Sequence, residues 1–370
     1  MLVKSISDSF SSISTEKLEE IIFAMRAAPT GDNGQHWQYR ILGNSIEIIH
    51  EPKRAKHILN QDFYASLLSL GTIIESAKIW SDANSFSMDI NYYLKDLNRP
   101  HFATLSFEYV NESEKNVLNL LEYLPLRETN RNHFKKDPLE IDQIKNLQSQ
   151  LDSFNLKINF ISRPSKKFLE YLIHCEKYIW NNRDVFLDTV RWIRFNQKEV
   201  EKHRDGFNLK NIKLKKIDGL FIRIFEKSNF LYRFFWRIGL NLKIHLEVKT
   251  TLKNTGSFYS FSSRDNSIEG IVNIGRASLR TWVYLNSIGH GVQPLTIASL
   301  LPFILEEKGS LANCSDRYLS IFLGAKTLLN KEFSLNQNER IKWMFRTGPA
   351  KKLSSDARTL RKDLSFYLKE

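Results

Sequence analysis

The chain has 370 residues, of which 42% are hydrophobic and 12% aromatic, and its formal net charge is +13 at pH 7. This composition excludes an intrinsically disordered chain, and the length allows a large core in one or two domains. The two cysteines, Cys175 and Cys314, are far apart and fit neither a disulfide framework nor a metal-ligand spacing. No metal site is therefore expected.

The opening residues, Met1–Ser5, lack the apolar core of a signal peptide, and no apolar run approaches the roughly 20 residues that span a bilayer. We therefore expect a cytoplasmic protein. The positive charge is compatible with nucleic acid, a membrane surface or an anionic cofactor. Because the lysines are spread along the chain and no zinc-finger or RNA-recognition motif is present, we expect a generally basic surface and no nucleic-acid partner.

The first part of the chain alternates helical and strand patterns. Apolar residues at helical spacing predict two helices, at residues 15–28 and 62–82. Alternating patterns predict four strands, at residues 38–42, 46–50, 87–93 and 104–110. Small residues on one face of the second helix would let another helix approach closely.

The second part, from about Pro125, repeats this plan. Helices are predicted at residues 138–151, 167–195 and 275–289, and strands at residues 156–161 and 317–323. Since the helix at 275–289 matches the one at 62–82, we predict an internal duplication with halves 1–124 and 125–370.

An inserted segment is predicted at about 207–262 in the second half. Its basic aromatic stretch around Phe230–Arg237 has three interpretations: a helix on a membrane surface, a cover over a pocket, or a helix packed on the core. We favour a lid formed by residues 217–245 over a membrane contact, although the pattern alone is ambiguous.

Two stretches carry candidate chemistry. The first, Arg26–Trp37, joins a helix to a strand: Pro29 ends the helix, and the following Gly-Asp-Asn-Gly residues tolerate positive φ. The second, Arg127–Phe134, places two arginines four residues apart with Thr129 between them, an arrangement that can converge on one phosphate. The plain alternatives are an ordinary helix–loop–strand junction and a solvated charged loop.

The sequences of these two stretches resemble motifs of the nitroreductase family of FMN enzymes. Ala-Pro-Thr with Asn33, Gln35 and Trp37 is similar to the family's Ala-Pro-Ser-x-x-Asn-x-Gln-Pro-Trp loop, except that His36 replaces proline. Arg127–Arg131 is similar to its Arg-x-Ser-x-Lys/Arg signature. The chain most resembles the fused, Acg-like branch, which shares Arg-x-Thr-Asn-Arg, Trp-Ile-Arg-Phe with a following Arg-Asp-Gly, and Gly-Arg-Ala before the late helix.

The resemblance implies an α+β, nitroreductase-like fold in which two tandem half-repeats form an intramolecular pseudodimer with mixed sheets flanked by helices. Because each motif occurs once, in opposite halves, it implies a single FMN site per chain. The cofactor contacts that it implies are Arg26, Pro29, Thr30, Asn33, Gln35, Arg127, Thr129, Asn130, Arg131, Pro294, Thr296, Arg346 and Arg358.

The function implied is an FMN-dependent oxidoreductase that takes electrons from NAD(P)H and reduces a small conjugated or nitro-type acceptor, as a monomeric pseudodimer or a homodimer. The flavin carries the chemistry, so no catalytic residue is assigned, and His290 is only a candidate for substrate contact. The sequence contains no Gly-x-Gly-x-x-Gly motif, so we expect no separate Rossmann site for the nicotinamide. Two alternatives remain: a flavin-binding protein with little turnover, and a basic membrane- or nucleic-acid-associated protein on a redox-dead fold.

Overall fold

A computed structural model describes residues 13–110, 120–154, 156–311, 314–336 and 338–369. Met1–Ser5, on which the expected location depends, lies outside the described residues. The architecture is α+β, with two four-stranded antiparallel sheets and many helices. No helix within the described ranges is long and apolar enough to cross a membrane.

The strands are β1 Trp37–Leu42, β2 Ser45–His50, β3 Phe86–Tyr92, β4 His101–Tyr109, β5 Lys157–Ile161, β6 Ile193–Arg194, β7 Phe207–Asn208, β8 Ser257–Ser263, β9 His290–Pro294 and β10 Arg340–Pro349. The helices before residue 125 are α1 Thr15–Arg26, α2 Pro52–Ala55, α3 Tyr64–Ala83 and α4 Leu120–Tyr123. The later helices are α5 Ile141–Ser149, α6 Lys166–Asn181, α7 Arg183–Val190, α8 Gln197–His203, α9 Lys216–Lys227, α10 Asn229–Phe235, α11 Asn241–Lys253, α12 Ile268–Ser287, α13 Thr296–Lys308, α14 Asp316–Leu323, α15 Ala325–Glu332 and α16 Leu364–Tyr367. A π-helical turn, Trp236–Leu240, joins α10 to α11.

The two large sheets have the same strand order in sequence terms. The first sheet runs β1-β2-β4-β3 and the second β5-β8-β10-β9, and every neighbouring pair in both is antiparallel. The expectation of mixed sheets is therefore wrong for these two sheets. The hairpins β1–β2 and β3–β4 have short connections, which only antiparallel strands can use.

Helices α3 and α12 pack against each other between the sheets, and both are 20 residues long. At their crossing, a Cβ on Gly71 would lie 2.0 Å from the Val272 carbonyl oxygen, and one on Gly275 would lie 2.1 Å from that of Leu68. Glu75, fully buried in α3, receives hydrogen bonds from Arg276 and Arg280 of α12. Only glycine at both positions permits this backbone approach.

Three predicted elements differ from the structure. Residues 317–323, predicted as a strand, lie in helix α14, because Tyr318 and Phe322 are buried four residues apart, which is helical spacing. The single helix predicted at 167–195 is two helices followed by the short strand β6, with the Asn182 side chain capping the second helix. Strand β8 begins inside the predicted insertion 207–262, ends at Ser263 and is a central strand of the second sheet.

One large apolar core extends from the first sheet through α3 and α12 to the second sheet. A smaller core lies apart from it beneath α9 and α10. Its buried side chains are Phe186, Val190, Ile193, Leu209, Ile222, Phe225 and Tyr232. The segment 216–253 thus has its own buried face, which fixes it above the cleft described next.

Candidate functional site

A cleft of about 1590 Å³ lies between the first and second halves of the chain. Its walls come from the loop after α1, the first turns of α3, residues 125–133, helices α6 and α12, the start of α13 and the tail 353–361. Residues of α9, α10 and α11 also line it, so this segment borders the same space. Its volume exceeds the roughly 300–1,000 Å³ of ordinary ligand pockets, which leaves room for two molecules side by side.

The loop after α1 is held in an unusual conformation at the cleft wall. Asp32, Asn33 and Gln35 have φ values of 52°, 54° and 50°, whereas the flanking glycines do not use the left-handed region. The Thr72 hydroxyl donates to the Pro29 carbonyl at 3.1 Å, which ties the loop to α3. Such strain persists only where the surroundings fix it, and it concentrates at functional sites.

Second-half segments hold this first-half loop in place. The Asn33 amide donates to the carbonyls of Gly206 and Leu360, each at 3.1 Å. The Gln35 amide donates to the Arg204 carbonyl at 2.8 Å, and its oxygen accepts from the Lys362 backbone N–H at 2.8 Å. Asn33 lines the cleft, whereas Gln35 lies behind the wall as a structural tie.

The Arg-Asp-Gly motif is the centre of that support. The Asp205 carboxylate pairs with Arg54 of the first half and with Arg194 of the second. Burial alone would raise the pKa of Asp205, but these two guanidiniums hold it below its ordinary value. Gly206 has φ +69°, and a Cβ there would lie 2.2 Å from the Trp192 carbonyl oxygen.

Arg127 lies at one end of the cleft with unsatisfied hydrogen-bond donors. Its guanidinium stacks over the Trp282 ring at 4.5 Å and is 9% exposed, and Nη2 donates to the Ala27 carbonyl at 3.4 Å. Its Nε and Nη1 have no partner among the described residues. Buried guanidinium donors without partners are costly unless a ligand satisfies them.

More arginines gather around Arg127. Burial lowers the pKa of Arg127, and Arg361 and Arg358 lower it further, while Glu128 opposes them. Burial is also the main cause that lowers the pKa of Arg361, and the charges of Arg26 and Arg358 lower it further. All four arginines line the cleft, so this end, which we call the arginine cluster (Arg26, Arg127, Arg358 and Arg361), carries excess positive charge suited to a phosphate.

Arg131 lies elsewhere on the cleft wall. Its Nη1 donates to the Asn211 side chain at 2.6 Å, and its nearest charges are the carboxyls of Glu176 and Asp32. Burial lowers the pKa of Arg131 to about 10. Arg358 and Arg361 lie close enough to lower the pKa of Arg127, and the convergence of Arg127 and Arg131 on one phosphate stays a prediction.

Besides Gln35, three of the predicted residues lie outside the cleft lining. Arg346 is fully buried, with donors to Gln293, Thr255 and the Asn132 carbonyl, and burial lowers its pKa to about 9. Asn130 is buried and donates to the Lys351 carbonyl at 2.8 Å. His290, the candidate for substrate contact, is buried in strand β9. These positions support the wall rather than face its interior.

The turn from β9 into α13 does line the cleft, through Pro294 and Thr296. Helix α13 has no side-chain cap at its start; the Ala298 N–H donates to the Leu295 carbonyl at 3.0 Å, whereas the N–H groups of Thr296 and Ile297 precede the first intrahelical bond. Thr129, also on the lining, pairs with Val292 of β9 in an isolated parallel bridge. The second stretch and this turn therefore belong to one wall.

Two carboxyls and one histidine on the cleft wall were not predicted from the sequence. Burial raises the pKa of Glu176, although Arg131 and Arg346 partly offset it. Burial also raises the pKa of Asp32, whose Oδ2 lies 3.4 Å from His57 Nε2. Trp282 and Arg361 were missed too, since only the packing of α12 and the tail against Arg127 identifies them.

No protein-family model matches the chain, and no curated protein sequence matches it. One similar solved structure is the FMN-dependent nitroreductase NfnB from Mycobacterium smegmatis in complex with NADPH, at 9% identity and a TM-score of 0.37, covering 68% of this chain and 97% of that chain. Another is a predicted nitroreductase from Anabaena variabilis, at 8% identity and a TM-score of 0.41, covering 91% of this chain and 73% of that chain. At such low scores neither likeness carries weight in assigning a function, which rests on this chain's own residues.

Proposed function

We propose that this chain is a nitroreductase-like oxidoreductase that binds one FMN in the cleft and uses NAD(P)H to reduce a small conjugated or nitro-type acceptor. One observation carries the proposal. The Pro29–Asn33 loop of the first half and Arg127 of the second half, the two stretches that resemble the flavin-binding motifs, line the same cleft.

The chemistry of the cleft fits FMN. The arginine cluster offers a cationic end for the phosphate, and the two unpartnered donors of Arg127 are available to its oxygens. Elsewhere the wall is mainly apolar, with Leu68, Leu172 and Leu300 among its residues, as a flat aromatic ring requires.

Polar groups at fixed points would orient the ring. The backbone N–H groups of Thr296 and Ile297 would serve as donors to the ring edge, and Arg131, on the same cleft wall, would supply a cation to offset the negative charge of a reduced flavin. When bound, FMN supplies hydride and electron transfer. The chain supplies orientation, exclusion of water and a proton source, for which Glu176 is suited because its raised pKa keeps it protonated over a wider pH range.

The two halves, 1–124 and 125–370, are proposed to be fused copies of one unit that form a pseudodimer within the chain. The shared strand order of the two sheets and the equal length of α3 and α12 support this proposal. Residues 217–245 are proposed as a lid, supported by the many cleft-lining side chains that α9 and α10 contribute. The physiological partner is then a small-molecule acceptor.

A direct test uses purified protein saturated with FMN and then freed of unbound flavin. We expect a yellow protein whose visible flavin absorbance is bleached by NADPH under anaerobic conditions and recovers when a nitroaromatic acceptor is added. A protein that binds FMN but is not bleached by NADPH or NADH would instead be the flavin-binding protein with little turnover. A protein that retains no FMN would overturn the proposal and favour the redox-dead alternative.

A further inference from the structure

The segment 216–253 exposes an unusual amount of apolar surface. Of the sixteen large hydrophobic side chains exposed among the described residues, eight lie between 217 and 246. Five of them recur at every fourth position along α10, the π turn and α11: Phe230, Phe234, Ile238, Leu242 and Leu246, which are 77%, 47%, 61%, 61% and 52% exposed. A four-residue repeat places side chains along one side of a helix.

Helix α9 adds a second exposed row, formed by Ile217, Leu220 and Phe221. The Phe221 ring lies 5.6 Å from that of Phe235, which lies 5.6 Å from that of Phe234, so the two rows are joined. We call the eight residues of both rows the apolar face. Ile222, Phe225 and Tyr232 of the same segment pack in the smaller core, whereas the eight residues of the apolar face stay exposed, three of them at the cleft.

Basic side chains surround this face. Residues 215–253 contain nine lysines and arginines but only three acids. Two of those acids, Asp218 and Glu247, pair with Lys243. Lys216, Lys227, Arg233 and Arg237 are exposed and form no ion pair within the described ranges, so their charge is available to an outside partner.

We propose that the apolar face is a membrane-binding surface that inserts into the headgroup region of an anionic bilayer. Amphipathic segments with aromatic and aliphatic side chains on one side and lysines and arginines beside them bind such interfaces. Helices α10 and α11 have 7 and 13 residues and meet at a kink at Gly239, so each is too short to cross a bilayer and the segment lies along the surface. A second copy of this chain would bring the same positive charge against itself, which disfavours that occupant.

The face also continues into the cleft. Phe221, Ile238 and Leu246 belong to the exposed rows and line the cleft. An apolar molecule dissolved in the bilayer can therefore enter along these side chains without crossing water. The surface assignment itself does not depend on which cofactor the cleft holds.

The test is flotation of the full-length protein with vesicles of phosphatidylcholine containing phosphatidylglycerol, compared with phosphatidylcholine alone. We expect binding to the anionic vesicles, weakened by salt, and little binding to the neutral ones. The variant Phe230→Ser/Ile238→Ser/Leu242→Ser should lose binding. A matched control, Leu42→Ser/Ile141→Ser/Leu323→Ser, removes apolar side chains that are 50%, 73% and 65% exposed elsewhere and should bind as wild type does.

A charge variant, Lys216→Gln/Arg233→Gln/Arg237→Gln, should bind anionic vesicles more weakly by about fivefold for each charge removed. Its control, Lys95→Gln/Lys166→Gln/Lys167→Gln, removes three exposed lysines far along the chain and should change binding much less. Circular dichroism and thermal unfolding establish that each variant is folded. Absence of wild-type binding to anionic vesicles, or equal binding by both serine variants, would overturn the proposal. Light scattering that finds a dimer abolished by the face variant would assign the surface to a second copy.

Discussion

The two large sheets differ in how their strands are connected. In the first sheet, β1 and β2 are joined at Gly43–Asn44, and β3 and β4 by residues 93–100. In the second sheet, which has the same strand order, the equivalent pairs are separated by residues 162–256 and 295–339. The same strand order is thus joined by short connections in the first sheet and by long connections in the second.

This difference explains why one cleft dominates. The long connections of the second sheet supply α6, the segment 216–253 and the start of α13, all of which line the cleft. The first sheet has no connections of that length, and the N-terminal part of the chain contributes the loop after α1, residues 54–60 and the first turns of α3. A symmetric pair of halves would form two equal clefts, whereas additions on one side complete a single site.

At the helix crossing, α3 and α12 each place a glycine against the backbone of the other, so the proposed equivalence of the two helices can be tested there. Gly71→Ala and Gly275→Ala should each destabilise the protein by about 3 kcal/mol, because each Cβ meets backbone oxygen on the partner helix. Urea unfolding measures this. Gly324→Ala is the control, since its Cβ would meet no atom closer than 3.6 Å. If only one glycine proves sensitive, α3 and α12 are not equivalent.

The variant Asp205→Asn tests how strongly the loop after α1 depends on the later part of the chain. Loss of this carboxylate leaves Arg54 and Arg194 without their anion, and we expect about 3 kcal/mol less stability at pH 7. Because the pKa of Asp205 is lowered on folding, its contribution is present above the unfolded pKa, about 4, and is lost as pH falls through the folded value.

Urea unfolding at several pH values is the measurement for Asp205. Wild type and Asp205→Asn should differ by a constant amount above about pH 5 and converge in more acidic solution. Asp89→Asn, at an exposed position of the first sheet, should leave the profile unchanged. A difference that grew as pH fell would contradict the ion-pair account.

The phosphate end should depend mainly on residues after 125, which supply three of the four members of the arginine cluster. Arg127→Ala removes two free donors and should weaken FMN binding by about 1.5–3 kcal/mol. The bound flavin's spectrum should change little, because Arg127 is proposed to contact the phosphate and not the ring. Fluorescence titration with FMN measures the affinity, and Arg99→Ala, at an exposed arginine of the first half, is the control. If Arg127→Ala binds FMN as tightly as wild type does, Arg127 has a structural role and does not contact the phosphate.

The smallest expected effect concerns the lid. Tyr232→Ala removes a ring that packs 4.8 Å from Phe186 in the smaller core and should loosen α9 and α10. Iodide should then quench the fluorescence of bound flavin more strongly while FMN stays bound. Phe230→Ala, at an exposed position of the same segment, should leave quenching as in wild type. Equal quenching in both variants would mean that the segment does not cover the ring.

Much of the fold follows from local patterns. The helices at 15–26 and 64–83 and the hairpin of β1 and β2 were predicted within a few residues, because their periodicity reflects one buried face, whereas the helix at 268–287 was predicted only from residue 275. Helix α14 was mistaken for a strand because a seven-residue pattern with aromatic residues fits both periods. Strand β8 was hidden because all of its residues but the last are buried, which removes the alternation that identifies a strand.

The candidate site was only partly predictable. Asn33 and Arg127 were identified from their motifs, and both line the cleft. The contacts that position them depend on residues more than a hundred positions away, such as Gly206 for Asn33 and Trp282 for Arg127, and no local pattern encodes those. Arg346 was expected to contact the cofactor, but its guanidinium donors already form three hydrogen bonds within the protein.

The most direct test of the account is the number of flavins per chain. Protein saturated with FMN and passed through a desalting column is heat-denatured, and the released flavin is identified chromatographically and quantified against protein concentration. A single cleft completed by both halves predicts one FMN per chain. Two flavins per chain, or FAD in place of FMN, would contradict a single asymmetric site built on a duplicated framework.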